Sequence, residues 1–412
     1  KKLFYNSKTN IFSERVMLLK NPPQNLVFYN SFGRVIILIL NFFSIALFNR
    51  YFEKGVDLDK NINKKIKQGN DEEPWPEQAI HKFENSETKI SDNLIKKIET
   101  DYFHSVNSIR DNKKFEDSEW WKNCRKEFKN LFFSEDKINV NSLENFRNNI
   151  KTSAEILNDK NFLKNTNSEK INKIKSIFLI NLYHKLSEHV SLDILRMASD
   201  SHVGKNLCLY YRGQRINQRI LRYAYYASQI KENTSLNVEN KNIFLDIGGG
   251  YGGLSRILKN VYDNSVCVII ELPELCLLSS YFLKKNFPEK KIGTFSDFKN
   301  KENIDVKDLS DFDFVVLPQP FMEKFNEETF DIIINTTSLG EMSDIMQDYY
   351  LQNIERCCKT YFYSVNRSKK RFEKYNSRGF YDFSFKNRWK VKVYKYTHTY
   401  HIEFLGKKTK NN

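Results

Sequence analysis

Glycine is scarce in the first half of this chain: of 14 glycines, only Gly33, Gly55 and Gly69 precede position 204. A stretch with so few flexible turn positions suits helices rather than a turn-rich β-architecture. Cysteine is thin as well. The six, at 124, 208, 267, 276, 357 and 358, form no CxxC pair, and the adjacent Cys357 and Cys358 make a poor disulfide frame. A disulfide-built secreted scaffold is thereby excluded, and reduced, mostly buried cysteines of a cytoplasmic protein are expected. Long apolar runs are missing too. The longest, Val35–Phe48 between Arg34 and Arg50, carries Asn41 and Ser44 and falls short of the roughly 20 residues that cross a bilayer. It reads first as a buried core helix, with a helix lying in a membrane interface as the alternative, which would give peripheral membrane contact. Basic runs are also lacking. The net charge is +15, from 66 Lys plus Arg against 51 Asp plus Glu, but arginine is not clustered. With no recognition patch in view, a nucleic-acid partner is not expected. The first residue is Lys, so no targeting signal is read from the start.

What is present is a globular chain: 40% of residues are hydrophobic and 14% aromatic, too many for a disordered one. Residues 1–56 form an N-terminal segment holding the apolar run. A polar stretch from Asp57 to Glu77, with Pro74-Trp-Pro76, reads as a linker or exposed loop opening a mainly helical region, 57–200. Within it Ile95, Ile98, Tyr102 and Phe103 recur at helical spacing, as do Trp121, Cys124, Phe128 and Phe132. Asn141 with Glu144 has the form of a helix-starting capping box. The polar stretch Asn158–Lys173 separates two helices.

From 201 to 412 short β-rich runs alternate with helical ones. Strands are expected at Ile243–Ile247, Val266–Glu271, Phe312–Leu317, Phe330–Asn335 and Tyr361–Val365. Helices are expected at Leu254–Tyr262, Glu274–Asn286 and Ser343–Cys357. That alternation predicts a parallel, doubly wound α/β sheet. Trp389–Tyr396 and Thr399–Leu405 leave almost no room between them and predict an antiparallel hairpin at its edge.

The strongest local signal is Phe244-Leu-Asp-Ile-Gly-Gly-Gly-Tyr-Gly-Gly-Leu254. A buried strand feeds a glycine turn that lets a ligand approach the backbone, and a helix start follows with free N–H groups. Gly248, Gly250 and Gly253 also satisfy GxGxxG, which several nucleotide-binding folds share. Asp246 separates them. Two residues before the first glycine, it would meet a dinucleotide pyrophosphate unfavourably, but it suits the ammonium and sulfonium charges of S-adenosylmethionine. Glu271 ends the next strand, where both cofactor classes use a carboxylate on the ribose hydroxyls, so it supports without discriminating. Asp246, Gly248, Gly250, Gly252 and Glu271 are the expected cofactor-binding residues.

Asp246–Leu254 resembles the first motif of class I methyltransferases, and the chain more narrowly resembles the sugar O-methyltransferase family of bacterial surface-polysaccharide clusters. Glu271-Leu-Pro-Glu-Leu275 is similar to that family's acidic-Leu-Pro-Glu segment, with Glu in place of the more usual Asp. Asn335-Thr-Thr-Ser-Leu-Gly-Glu-Met342 resembles its segment after the fourth strand, and Ser364-Val-Asn-Arg367 the end of its fifth. Tyr210–Ile230 resembles the helix before its first strand. The resemblance spans about residues 190–370 and is weak over the first 180. It implies a Rossmann-like class I methyltransferase domain, preceded by a mainly helical N-terminal domain. It also implies an S-adenosylmethionine cofactor and a sugar or glycan acceptor.

A sugar hydroxyl is a poor nucleophile and needs a base or a metal. Glu341 is the expected base or orienting carboxylate, with Asn335 and Ser338 as hydrogen-bonding partners; the alternative for Glu341 is a first-turn acid of the helix near Ser343. His202 is the second base candidate. No His/Asp/Glu cluster has metal-ligand spacing, so a divalent metal is open but not indicated. The tyrosines and arginines of Asp200–Ile230 read either as a lid over a sugar or as a helix packing on the sheet. Two other functions stay open: methylation of a non-sugar small molecule or RNA, and a non-catalytic cofactor-binding scaffold in glycan assembly.

Overall fold

The computed structural model describes residues 91–110, 113–115, 119–148, 179–180, 182–184, 186–206, 208–368, 378–385, 389–398 and 401–409. The apolar run 35–48, the polar stretches 57–77 and 158–173, and the boundary expected at 56 lie outside them. Among the described residues no helix is long and apolar enough to cross a membrane.

The chain folds around one eight-stranded sheet. Its strands are β1 (Ile243–Ile247), β2 (Val266–Glu271), β3 (Ile292–Gly293), β4 (Phe314–Pro318), β5 (Phe330–Thr336), β6 (Cys358–Arg367), β7 (Trp389–His398) and β8 (His401–Lys408). In space they run β7-β8-β6-β5-β1-β2-β4-β3. Strands β3, β4, β2, β1, β5 and β6 are mutually parallel, and β8 pairs antiparallel with both β6 and β7. The expected hairpin is therefore present, and its second strand sits inside the first. The result is a Rossmann-like, mostly parallel sheet. The strand order changes sides between β1 and β5, the switch point where such sheets open a crevice at their carboxyl ends.

Every residue of β1, β2 and β4 is buried, as expected for parallel strands covered on both faces. Alternation sorts them: Phe244, Cys267 and Ile269 join one apolar cluster, and Leu245, Val268 and Ile270 the other. The long helices are α1 (Asp92–Ile109), α2 (Glu119–Phe132), α3 (Gln218–Asn233), α4 (Gly253–Val261), α5 (Pro273–Asn286) and α6 (Asp344–Cys357). Helices α3, α4 and α5 cover the first face and α6 the second. The core of the first face continues into α1 and α2 through Ile98, Tyr102, Phe128 and Phe132, the residues whose spacing predicted those helices.

Three expectations need correction. The capping residue of the short helix Val140–Glu144 is Asn139, whose side chain accepts from the Ser142 N–H at 3.0 Å, while Asn141 lies inside the helix and accepts from Asn145 Nδ2. The preceding hairpin explains the offset, because its closing bond, from Asn139 N–H to the Phe132 carbonyl, brings the chain out two residues early. Strand β4 starts at Phe314, since the Phe312 N–H is taken by the Leu309 carbonyl in the turn before it. The stretch from Tyr210 is not helical throughout. Leu209–Tyr211 and Gln214–Ile216 form a hairpin closed by Arg212 and Gly213, both at positive φ, and α3 begins only at Gln218 with Asn217 as its cap.

Helix α3 packs its tyrosines on the sheet. Tyr225 Oη donates to Glu403 Oε2 at 2.8 Å, and the Tyr226 ring meets that of Tyr363. For these two residues packing, rather than a lid, is the observed arrangement.

Candidate active site

Strand β1 delivers Asp246 to the carboxyl edge of the sheet and then turns through Gly248, Gly250 and Gly252, at φ of 70°, 61° and 87°. These angles are in the left-handed region that side chains disfavour. Two of the glycines differ in what surrounds them. A Cβ on Gly248 would clash with Ser338 Oγ, so the loop after β5 closes directly on the glycine turn. A Cβ on Gly250 would meet nothing within 4 Å, which leaves that backbone open to a ligand. Gly250→Ala is thus expected to cost only the strain of its φ, about 1–2 kcal/mol, while obstructing the site. Gly248→Ala adds a steric clash and is expected to lower thermal stability further. Equal losses of stability in melting curves of the two variants would contradict this packing.

The Asp246 carboxyl is buried. Oδ2 accepts from Ser255 Oγ, in the first turn of α4, at 3.2 Å, and Oδ1 has no hydrogen-bond partner. Burial pushes this carboxyl up to about 7, with the Ser255 hydroxyl pulling only partly the other way. Glu271 ends β2 and folds back on the glycine turn: Oε1 accepts from the Gly250 N–H at 2.9 Å and Oε2 from the Leu272 N–H at 2.6 Å. Burial drives it up to about 8 against those two N–H groups. Each oxygen keeps a second lone pair, so the carboxyl can brace the loop and still accept from a vicinal diol. Next to it opens a small cleft, partly open to solvent, edged by Gly248, Glu271, Gln319, Ser338, Met346 and Trp121.

Asn335 and Ser338 are brought together at the switch point. Asn335 is fully buried, donating to the Ile247 carbonyl at 2.8 Å and to Ser338 Oγ, and accepting from Asn366 Nδ2 at 2.7 Å. It ties the carboxyl ends of β1, β5 and β6 into one frame. Thr337, between them, has φ of 66°, and backbone strain of this kind concentrates at functional loops. Glu341 lies in a short 3₁₀ turn, Leu339–Glu341, before α6; the cap of α6 is Ser343 and its first-turn acid Asp344. Arg367, at the end of β6, reaches Glu341 Oε1 at 3.4 Å in a half-buried ion pair. His202 is exposed on the turn before Gly204, a glycine that packs on Phe146 and Arg147.

Sequence reasoning passed over four residues here. Trp121 had the spacing of a core residue and instead edges the cleft. Gln319, buried with its Oε1 unpaired, sits between two prolines at the end of a buried strand, a signal that was legible. Asn366 and Arg367 stood in a recognised block without a role. Among the described residues, no group of three or more His, Cys, Asp or Glu is placed to hold a metal ion.

No protein-family model matches the chain, and no curated protein matches it. Solved structures similar to it include mitomycin 7-O-methyltransferase, at 14% identity over 46% of this chain and a TM-score of 0.30. The chain spans little more than half of that protein, 57% of its length. Magnesium protoporphyrin IX methyltransferase from Synechocystis PCC 6803, with bound SAM, is 9% identical over 46% of this chain and 78% of its own, with a TM-score of 0.33. Geranyl diphosphate C-methyltransferase from Streptomyces coelicolor A3(2) is 9% identical over 47% of this chain and 78% of its own, again at 0.33.

Proposed function

We propose that this chain is an S-adenosylmethionine-dependent O-methyltransferase whose acceptor is a sugar hydroxyl of a surface polysaccharide or its precursor. The observation that carries the cofactor reading is the buried Asp246 carboxyl, one oxygen unpaired, beside a glycine turn that is open at Gly250. A buried carboxyl at this point repels a pyrophosphate and attracts a cation. The sugar acceptor rests on the resemblance of the four blocks from Asp246 to Arg367.

When bound, S-adenosylmethionine supplies a methyl group activated on a sulfonium for in-line displacement. Asp246 offers charge to the cationic end, and Glu271 accepts from the ribose hydroxyls while holding the Gly250 N–H. Asn335 and Ser338 are positioning residues that lock the loop after β5 onto Gly248. Glu341, oriented by Arg367, accepts the hydrogen of the acceptor hydroxyl; a carboxylate takes several hydrogen bonds at once, so the ion pair does not exhaust it. His202, which is exposed, is the second candidate for that proton.

The test is calorimetric titration with S-adenosylmethionine, with NAD as control, followed by transfer of a labelled methyl group to a panel of free, nucleotide-linked and lipid-linked sugars. Micromolar binding with NAD silent, and label in one sugar class, is the expected result. Binding without transfer to any acceptor would return the chain to a cofactor-binding scaffold. Label in RNA or a non-sugar metabolite would replace the acceptor class. Glu341→Gln is expected to lower kcat on the order of 100-fold with cofactor affinity unchanged. A kcat kept within a few-fold would remove Glu341 from the chemistry.

A further inference from the structure

Helix α2 lies outside the sheet, yet one of its faces is turned to the cofactor cleft. Trp121, in its first turn, edges the cleft together with Ile270, Leu272, Gln319 and Met346. One turn on, Arg125 Nε donates to Glu274 Oε1 at 2.9 Å, and the Glu274 side chain is only 6% exposed, in the first turn of α5 and three residues past Glu271. Beside Arg125, the Cys124 thiol is pushed up by burial and then by the Glu127 and Glu341 carboxylates, so this face of α2 also senses the loop after β5. Phe128 and Phe132 continue the same face into the core, Phe128 meeting the ring of Tyr102. The helix is thus pinned at its far end by apolar packing and in its middle by an ion pair to α5. Its first turn overhangs the site.

The chemistry of the slot under that overhang is specific. Apolar side chains and an indole make up one part of its walls, Glu271, Ser338, Ser343 and Tyr350 the other, and among the described residues that line it Gln319 Oε1 is a buried acceptor without a partner. Such a slot takes a flat heteroaromatic ring that carries an exocyclic N–H donor. We propose that Trp121 is a binding residue for the adenine of the cofactor, contributed from outside the sheet by α2, so that cofactor affinity depends on the helical region. This inference rests on the methyltransferase reading.

The experiment titrates S-adenosylhomocysteine into the full chain, following calorimetric affinity and tryptophan fluorescence, for wild type, Trp121→Ala and Trp121→Phe. Ligand is expected to change the wild-type emission. Trp121→Phe, which still stacks, is expected to keep affinity within about threefold and lose that emission change, the chain's other three tryptophans remaining as background. Trp121→Ala is expected to weaken binding on the order of tenfold, the scale of one base–aromatic stack. Wild-type affinity in Trp121→Ala would overturn the role of Trp121 and leave the methyltransferase reading standing. If Trp121→Ala does not fold, an emission change that persists in Trp121→Phe would overturn it equally. Failure of the wild type itself to bind would bring down both readings together.

Discussion

Arg147→Met is expected to destabilise the protein by about 3–5 kcal/mol, the scale for stranding a buried charge. Asp200 is fully buried, and its Oδ2 takes the Arg147 guanidinium at 2.5 Å, Asn217 Nδ2 at 2.6 Å and Asn206 Nδ2 at 3.1 Å. Arg147 also donates to the carbonyls of Ser201 and Val203 and lies 5.0 Å from the centroid of the Tyr251 ring, in the glycine turn. Methionine fills much of the volume but leaves the carboxylate with amide N–H groups and the Cys208 thiol as hydrogen-bond donors and Arg256 behind them. Melting temperature should drop by about 3–6 °C for a chain of this size. Acid titration gives a second readout. Burial raises the Asp200 carboxyl, but the adjacent Arg147 charge and hydrogen bond, with Arg256 behind them, outweigh it and hold the group down at about 2. A folded value below the unfolded one, about 3.9, means stability present above about pH 4 and lost as pH falls toward 2. In Arg147→Met that acid limb should flatten, because the stabilisation it reports is already gone. Unchanged melting and an unchanged acid limb would show that the pair contributes nothing to the fold.

Asp246→Asn is the opposite case: cofactor affinity should fall on the order of 100-fold, the loss of a hydrogen-bonded charge, while the free protein at pH 8 is no less stable than wild type. Asp246 is as buried as Asp200 but has a hydroxyl where Asp200 has a guanidinium, so its carboxyl rises to about 7. A folded value above the unfolded one means that stability declines as pH climbs from about 4 to about 7, since the folded state holds a proton that the unfolded state releases. Asparagine removes that decline. Glu271, raised to about 8, contributes in the same direction. A cationic ligand draws both carboxyls into their charged forms, so binding between about pH 4 and 8 should release protons. Calorimetry in buffers of different ionisation enthalpy measures that release. Wild-type affinity in Asp246→Asn would end the assignment of Asp246 as a ligand group, and with it the reading of the glycine turn.

The contrast between these two aspartates marks how far the amino-acid sequence reaches. Asp246 stands out in the sequence because its setting is local: a buried strand, a glycine turn and a helix start follow one another within a dozen residues. Strands β1 and β2 were legible to the residue for a related reason, since a strand buried on both faces must be apolar throughout and stops where that run stops. Arg147 and Asp200 carried no such pattern, being 53 residues apart and joined only when the chain before α3 closes over α4.

The site divides in the same way. Composition and spacing by themselves determined an α/β sheet with its glycine turn after the first strand, the carboxylates that face it, and the edge hairpin. Tertiary structure alone decided that Glu271 braces Gly250, that Asn335 is absorbed into the frame of β1, β5 and β6, and that Glu341 meets an arginine 26 residues later. It also put Trp121, spaced like a core residue, at the lip of the cleft. Helical and strand periods report which side of an element is apolar. What that side meets depends on how the elements cross, and a strand order that changes sides between β1 and β5 brings distant loops together at one edge where no local pattern can record it.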